Sequence, residues 1–225
     1  MKGGRNTEGY GHEIEKFDKN DGLRIFSFAV FAVLIINLLY SMLLSVFPSL
    51  EGDAGFWCVN VVLQASLVGV VALYCKSRNI SLRSAASLNV KPRAADMLCA
   101  IGIGAGALAF MLPLQNYVAV WFESMGFDIS VSVPVDGSAA NIVLLVIVAC
   151  LLPSFCEELV FRGALGNGLA ETGLWKAALL GGALFSIFHM NPAQTLHQFV
   201  MGFLLVFCIL ASGSIWTSFA AHLLN

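Results

Sequence analysis

Charge is what this chain has least of. Lys and Arg number 12 and Asp and Glu 14, so charged residues are only 12% of 225, where an ordinary globular domain has roughly a quarter. From Ala177 to Asn225 there is no Asp, Glu, Lys or Arg at all. Mean hydropathy is +0.83, and a chain of this size leaves about 30% of its unfolded surface exposed after folding. Water cannot solvate such a surface, which excludes an ordinary soluble enzyme, a disordered regulator and a coiled coil. The net charge of −2 carries no basic excess, which argues against nucleic acid as a partner. No CxxC pair exists among Cys58, Cys75, Cys99, Cys150, Cys156 and Cys208. That excludes a disulfide framework or zinc ribbon, and the six read as small buried core residues. An HExxH pattern is also absent, so no single helix supplies a metal site. The acidic residues among the mixed charges of the N-terminal segment and the long first apolar run do not fit a signal peptide.

What is present is a series of apolar runs: Ile25–Phe47, Phe56–Cys75, Met97–Phe122, Asn141–Leu165, Leu174–Met190, Thr195–Ala211 and Ser214–Asn225. A membrane span needs about 20 residues. The expected fold is therefore an all-α, polytopic transmembrane bundle of about seven spans in the lipid bilayer. The fourth run is interrupted by Pro153, and the last has only 12 residues, so the chain is expected to stop inside a truncated span. Residues 1–24 read as a polar cytoplasmic tail and 25–225 as the transmembrane domain, with a motif-bearing core over 141–225. Gly102, Gly104 and Gly106 lie in an apolar helix rather than after a strand, which points to close helix packing and not to a dinucleotide fingerprint.

Basic residues orient the chain. Lys2, Arg5, Lys16, Lys19 and Arg24 precede the first span, and Lys76, Arg78, Arg83, Lys91 and Arg93 follow the second. The link after the first span has Glu51 and Asp53, the link after the third Glu123, Asp128 and Asp136, and neither has a basic residue. Both basic sets lie inside if the N-terminus is cytoplasmic, and Gly166–Gly173, flanked by Arg162 and Lys176, is the next inside link. The short loops point to a bacterial cell membrane.

Ionisable groups inside a membrane are costly and mark function. Few are available here: Glu157, Glu158 and Arg162 in one segment, and His189, His197 and His222 in the uncharged stretch. At about 100° per residue, Glu158 and Arg162, four apart, nearly align and can form an ion pair, while Glu157 points elsewhere. That leaves Glu157 free as a general base. Two imidazoles and a carboxylate from three helices could activate a water, or hold zinc through Glu157, His189 and His222 with one open position. The same residues could instead be a structural ion pair and hydrogen-bonded packing histidines, and His197 reads as packing.

In order, Glu157-Glu158-Leu-Val-Phe-Arg162, Phe185-Ser-Ile-Phe-His189 and Gly213-Ser-Ile-Trp216 leading to His222 resemble the CPBP family of intramembrane proteases. That family includes the CAAX-processing endopeptidases and the Abi proteins. Its pattern is EExxxR, FxxxH and HxxxN on successive helices. The resemblance covers Asn141 to Asn225. It implies hydrolysis of a peptide bond in a membrane-associated or lipidated peptide, such as a lipidated tail, a peptide pheromone or a bacteriocin precursor. In that reading Glu157 is the base that activates water, His189 assists, His222 stabilises the oxyanion together with an Asn, and Glu158 and Arg162 support the site. A metalloprotease and a metal-free glutamate–histidine mechanism both fit. Two positions depart from the pattern. The family Asn falls at position 226, one past Asn225. Asn225 stands at the third position, where the family can carry a first of two asparagines, and counts with Glu158 and Arg162 as a supporting residue. Val206 stands where a small residue is expected four after Gly202.

Helix rise sets a geometric condition. At 1.5 Å per residue, Glu157 lies about 14 Å from Gly166, His222 about 12 Å from Ser214 and His189 about 24 Å from Gly173. The three meet if the start of the His189 helix lies below the membrane surface, or if that helix tilts or breaks, for which Gly181-Gly182 is the expected place. A non-catalytic peptide-binding or immunity protein and a proton-linked transporter use the same residue types. The order of the motifs favours the protease. Substrate identity and oligomeric state are not legible in the sequence.

Overall fold

A computed structural model describes residues 17–127, 133–134 and 136–225. Lys2, Arg5 and Lys16 of the basic tail, and Asp128 of the third link, lie outside the described residues. The described elements are helical, with no strand among them. We number them α1 (Lys19–Val46), α2 (Asp53–Ser77), α3 (Leu82–Ala85), α4 (Ala94–Ser124), α5 (Ala139–Thr172), α6 (Leu174–His189), α7 (Thr195–Ser212) and α8 (Ile215–Leu223). α1, α2, α4, α5 and α7 with its preceding turn are long and apolar enough to cross a membrane, and α6 is a shorter apolar helix. Each of the seven apolar runs thus becomes helix.

Several boundaries differ from the sequence expectation, each for a local reason. α1 starts at Lys19, ahead of the apolar run. The Asp18 side chain accepts from the Asn20 and Asp21 backbone N–H groups, and the Asp21 carboxylate accepts from the Asp18 N–H. This reciprocal cap satisfies donors that a helix start leaves open. Pro153 does not end its helix. A proline removes one N–H and crowds the preceding turn, and the wider π-type turn at Leu145–Leu151 accommodates it. α5 then continues through the expected inside link to Thr172, and the chain reverses at Gly173, whose φ of 91° suits glycine. α6 runs unbroken through Gly181-Gly182, so of the three ways for the site helices to meet, a break there is not the one used. Those glycines are contact points instead of hinges.

The centre of the bundle is the second half of α5. All eight residues of Leu159–Gly166, a second π-type stretch, are buried. α1, α2, α6, α7 and α8 pack around it. Lipid tails are as apolar as leucine, so helices in a bilayer associate through close van der Waals fit at small residues. Gly22 of α1 lies against the Ala164 carbonyl, Gly163 against Ala86, and Gly202 of α7 against Gly182 of α6. Val206 projects into the space left by Gly181 and Gly166. The missing small residue on α7 is therefore compensated by glycines on its neighbours. Of the α4 glycines only Gly104 makes the expected close contact, against the backbone of Ala221 in α8.

The segment between α2 and α4 is pinned from both sides. Asn167 donates to the Ala85 carbonyl and Ser87, Ser214 to the Val90 carbonyl, and the Trp216 indole to the Leu88 carbonyl. At the same end, Tyr74 of α2 donates to the buried Asp21 of α1 over 2.7 Å. The outward faces of α1 and α4 carry Phe28, Phe31, Leu38, Leu98, Phe110 and Tyr117, side chains suited to lipid. The cysteines divide: Cys75, Cys156 and Cys208 are buried as expected, whereas Cys58, Cys99 and Cys150 are exposed. These three lie on the outer face of helices whose other face is core, with buried Trp57 beside Cys58 and buried Ala100 beside Cys99, and hydropathy alone does not tell the two faces apart.

A Cβ at Gly182 would meet the Phe199 carbonyl oxygen at 2.7 Å and the Phe203 nitrogen at 2.9 Å. Both are backbone and cannot swing away. Gly182→Ala should destabilise the protein by about 1–3 kcal/mol, as overpacking does. Gly106→Ala, with no described atom within 4 Å, should be neutral or stabilising by up to about 1 kcal/mol. Thermal unfolding in lipid nanodiscs checks this, and equal melting temperatures for the two variants would contradict the packing described.

Candidate active site

The site grows from α5. Glu157 and Glu158 end the α-helical turn that leads into the buried π-type stretch, and the two side chains diverge. Glu158 and Arg162 are both fully buried, and Arg162 Nη1 lies 3.0 Å from Glu158 Oε1. The Phe185 ring of α6 covers the guanidinium at 4.1 Å from its centroid, a cation–π contact whose strength grows with desolvation. Phe185, the first residue of the FxxxH element, thus touches the last residue of the EExxxR element.

α8 completes this network. His222 Nδ1 lies 2.8 Å from Glu158 Oε1. An ionised carboxylate only accepts hydrogen bonds, so Nδ1 carries a proton and donates. The opposite ring nitrogen, Nε2, then faces Glu157 Oε2 at 4.0 Å. One water can hydrogen-bond to both atoms across that gap at about 2.8 Å each, because two such bonds span 4.0 Å at an angle near 90°. Glu157 and His222 retain some exposure, at 10% and 16% of their side chains, while Glu158 has none. Glu157 is the carboxylate that keeps slight exposure, and Glu158 is the one locked inside.

Glu157 has a second neighbour from α2. Gln64 Nε2 donates to Glu157 Oε1 over 3.4 Å, and the buried Gln64 Oε1 has no hydrogen-bond partner among the described residues. Gln64 is a residue the sequence reading did not select. The available signal was a carboxamide in the middle of the apolar run Phe56–Cys75.

His189 ends α6, and its Nδ1 meets the Phe185 carbonyl over 2.8 Å. A carbonyl accepts, so Nδ1 donates and Nε2 is left as an acceptor. Met190 follows with a left-handed φ of 47° and turns the chain into α7. Across that turn His197, in the first turn of α7, is buried and within electrostatic reach of both His189 and His222. His197 Nε2 lies 2.9 Å from the Asn225 carboxamide nitrogen. Reading His197 as packing alone missed this partner, because the two are 28 residues apart in sequence.

The zinc set of Glu157, His189 and His222 does not fit this arrangement. No group of three or more His, Cys, Asp or Glu among the described residues has the geometry to hold a metal ion. The Nδ1 hydrogen bonds of His222 and His189 orient Nε2 of each ring, as they would in a metal site too, so the misfit lies in the placement of the three groups and not in their tautomers.

Residues 139–225 match the family model for Type II CAAX prenyl endopeptidase Rce1-like proteins. The match spans α5 to α8 and so contains every charged and imidazole group of the site, with only Gln64 outside it. It agrees with the CPBP resemblance of the three motifs. No curated protein and no solved structure matches the chain.

Removing one partner of a buried ion pair costs roughly 3–5 kcal/mol, because the other charge is left without compensation. Arg162→Met should therefore lower stability by about that amount, and adding Glu158→Gln to it should restore a large part. Unfolding in nanodiscs of the two singles and the double measures the coupling. Additive losses would show that Glu158 and Arg162 are not paired.

Proposed function

We propose that this chain is an intramembrane endopeptidase that cuts a membrane-associated or lipidated peptide with a water activated by glutamate and histidine. The observation that supports it most is the water-sized gap between Glu157 and His222 beside a fully buried Glu158–Arg162 pair, within the segment that matches the endopeptidase family. A CAAX-type prenylated peptide is the substrate class consistent with that match. The N-terminus is cytoplasmic in this reading, following the basic residues of the tail and of the α2–α4 link.

Water sits between Glu157 and His222, and His189 Nε2 helps to orient it. Glu157 takes one proton as the water oxygen attacks the carbonyl carbon of the scissile bond. The carbonyl electrons move onto oxygen, giving a tetrahedral oxyanion. His222 with Asn225 holds that oxygen, and donors already aimed at developing charge need no reorganisation when it forms. For His222 to donate from Nε2 while its Nδ1–H is held by Glu158, the ring is an imidazolium. Arg162 and His222 then balance Glu157 and Glu158, so the site is neutral overall in a medium that penalises net charge. Collapse of the intermediate breaks the C–N bond, and the leaving nitrogen takes the proton from Glu157.

Bilayer hydrocarbon admits irregular backbone only where protein or a water-filled cavity surrounds it. A peptide in extended form meets that condition at a site enclosed by α2, α5, α6 and α8.

The test compares peptide termini in membranes of cells making the full chain and cells making Glu157→Gln at equal abundance, by terminus-selective mass spectrometry. A quenched-fluorescent farnesylated peptide in nanodiscs runs alongside. Termini that appear only with Glu157, and probe cleavage reduced at least 10³-fold by Glu157→Gln, are expected. Identical termini and no Glu157-dependent cleavage would overturn the reading in favour of a peptide-binding protein that cuts nothing.

A further inference from the structure

We infer that His197 is a positioning residue, which holds the Asn225 carboxamide in place beside His222. This rests on the proteolytic reading above and extends it to a residue outside the three motifs. Three observations carry it. First, Asn225 Nδ2 and His197 Nε2 are 2.9 Å apart, a full hydrogen bond between side chains on different helices. Second, Asn225 lies on the same turn as His222, its backbone N–H bonded to the His222 carbonyl over 3.0 Å. The pair therefore borders the site. Third, each partner has one buried polar atom with no hydrogen-bond partner among the described residues, His197 Nδ1 and Asn225 Oδ1. Buried polar groups are normally satisfied, and an orphan at a cleft calls for a ligand, a water or a strained function.

The bond works in two orientations. With the carboxamide N–H donating to Nε2, the ring proton sits on Nδ1 and Oδ1 points away unpaired. A half-turn about the Cβ–Cγ bond lets an Nε2–H donate to Oδ1 and turns the two carboxamide N–H donors to the free side. Imidazole serves both, since its two nitrogens exchange donor and acceptor roles with the tautomer. In the second orientation the carboxamide offers N–H groups to a carbonyl oxygen that becomes an oxyanion. His197, in the first turn of α7, holds the carboxamide from a second helix.

Losing an oxyanion donor lowers kcat by about 10²–10³-fold, and a misplacement near 1 Å by about 10²-fold. On the farnesylated probe, Asn225→Ala should lower kcat by the first amount and His197→Leu by roughly 10²-fold, with KM unchanged within twofold for each. The double variant should be no slower than Asn225→Ala alone, because His197 acts only through Asn225. His197→Gln, which keeps a donor and an acceptor, should recover most of kcat. A merely structural histidine would lower the amount of folded protein without this split or this non-additivity. An activity-free arm records the side-chain 15N shifts of His197 in nanodiscs, expected to move on Asn225→Ala. Wild-type kcat in His197→Leu, multiplicative losses in the double, or unmoved ring shifts would each overturn the assignment alone. Probe cleavage that does not depend on Glu157 would overturn the proteolytic reading and this assignment with it.

Discussion

A cation and a carboxylate with no solvent exposure stand at the middle of this bundle, and the packing around them follows from the need to compensate both. Arg162 and Glu158 face each other at 3.0 Å inside a helix that five others surround. Desolvating either group alone costs several kcal/mol. The pair is tolerable only if its charges meet closely and further partners are at hand. Phe185 covers the guanidinium, and His222 donates to the carboxylate. Those two contacts come from α6 and α8, so the same electrostatic demand that compensates the pair also brings the other two motif-bearing helices to α5. Glu157, one residue earlier, is outside that pairing and keeps slight exposure.

Close approach of these helices depends on residues without side chains. α6 and α7 meet at Gly182 and Gly202, where a methyl group on either would strike backbone or the Phe185 Cβ. Val206 fills the room left by Gly166 and Gly181. This contact sets the register of the α6–α7 pair, and with it the positions of His189 at the end of one helix and His197 at the start of the next. The Ser186 hydroxyl, which donates to the Thr195 carbonyl over 2.7 Å, ties the turn between them. On the other side, Gly104 lets α4 lie against α8 at Ala221, next to His222. The imidazoles are thus placed by glycine contacts several residues away from them.

The sequence by itself determined the all-helical membrane class, because hydropathy and helix length answer to the bilayer and not to neighbouring helices. It also determined the pairing of Glu158 with Arg162, since four residues on a helix bring two side chains together whatever surrounds them. The segment that matches the endopeptidase family model, 139–225, was legible in the three ordered motifs. Only the tertiary structure decided that α6 continues through Gly181-Gly182, that Pro153 is absorbed by a wider turn, and that half of the cysteines face outward. Only it joined His222 to Glu158, Gln64 to Glu157 and Asn225 to His197, pairs that lie 64, 93 and 28 residues apart. Periodicity states which face of a helix a residue occupies. Which helix lies against that face depends on the fit of small and large side chains across the whole bundle, and no local pattern encodes it.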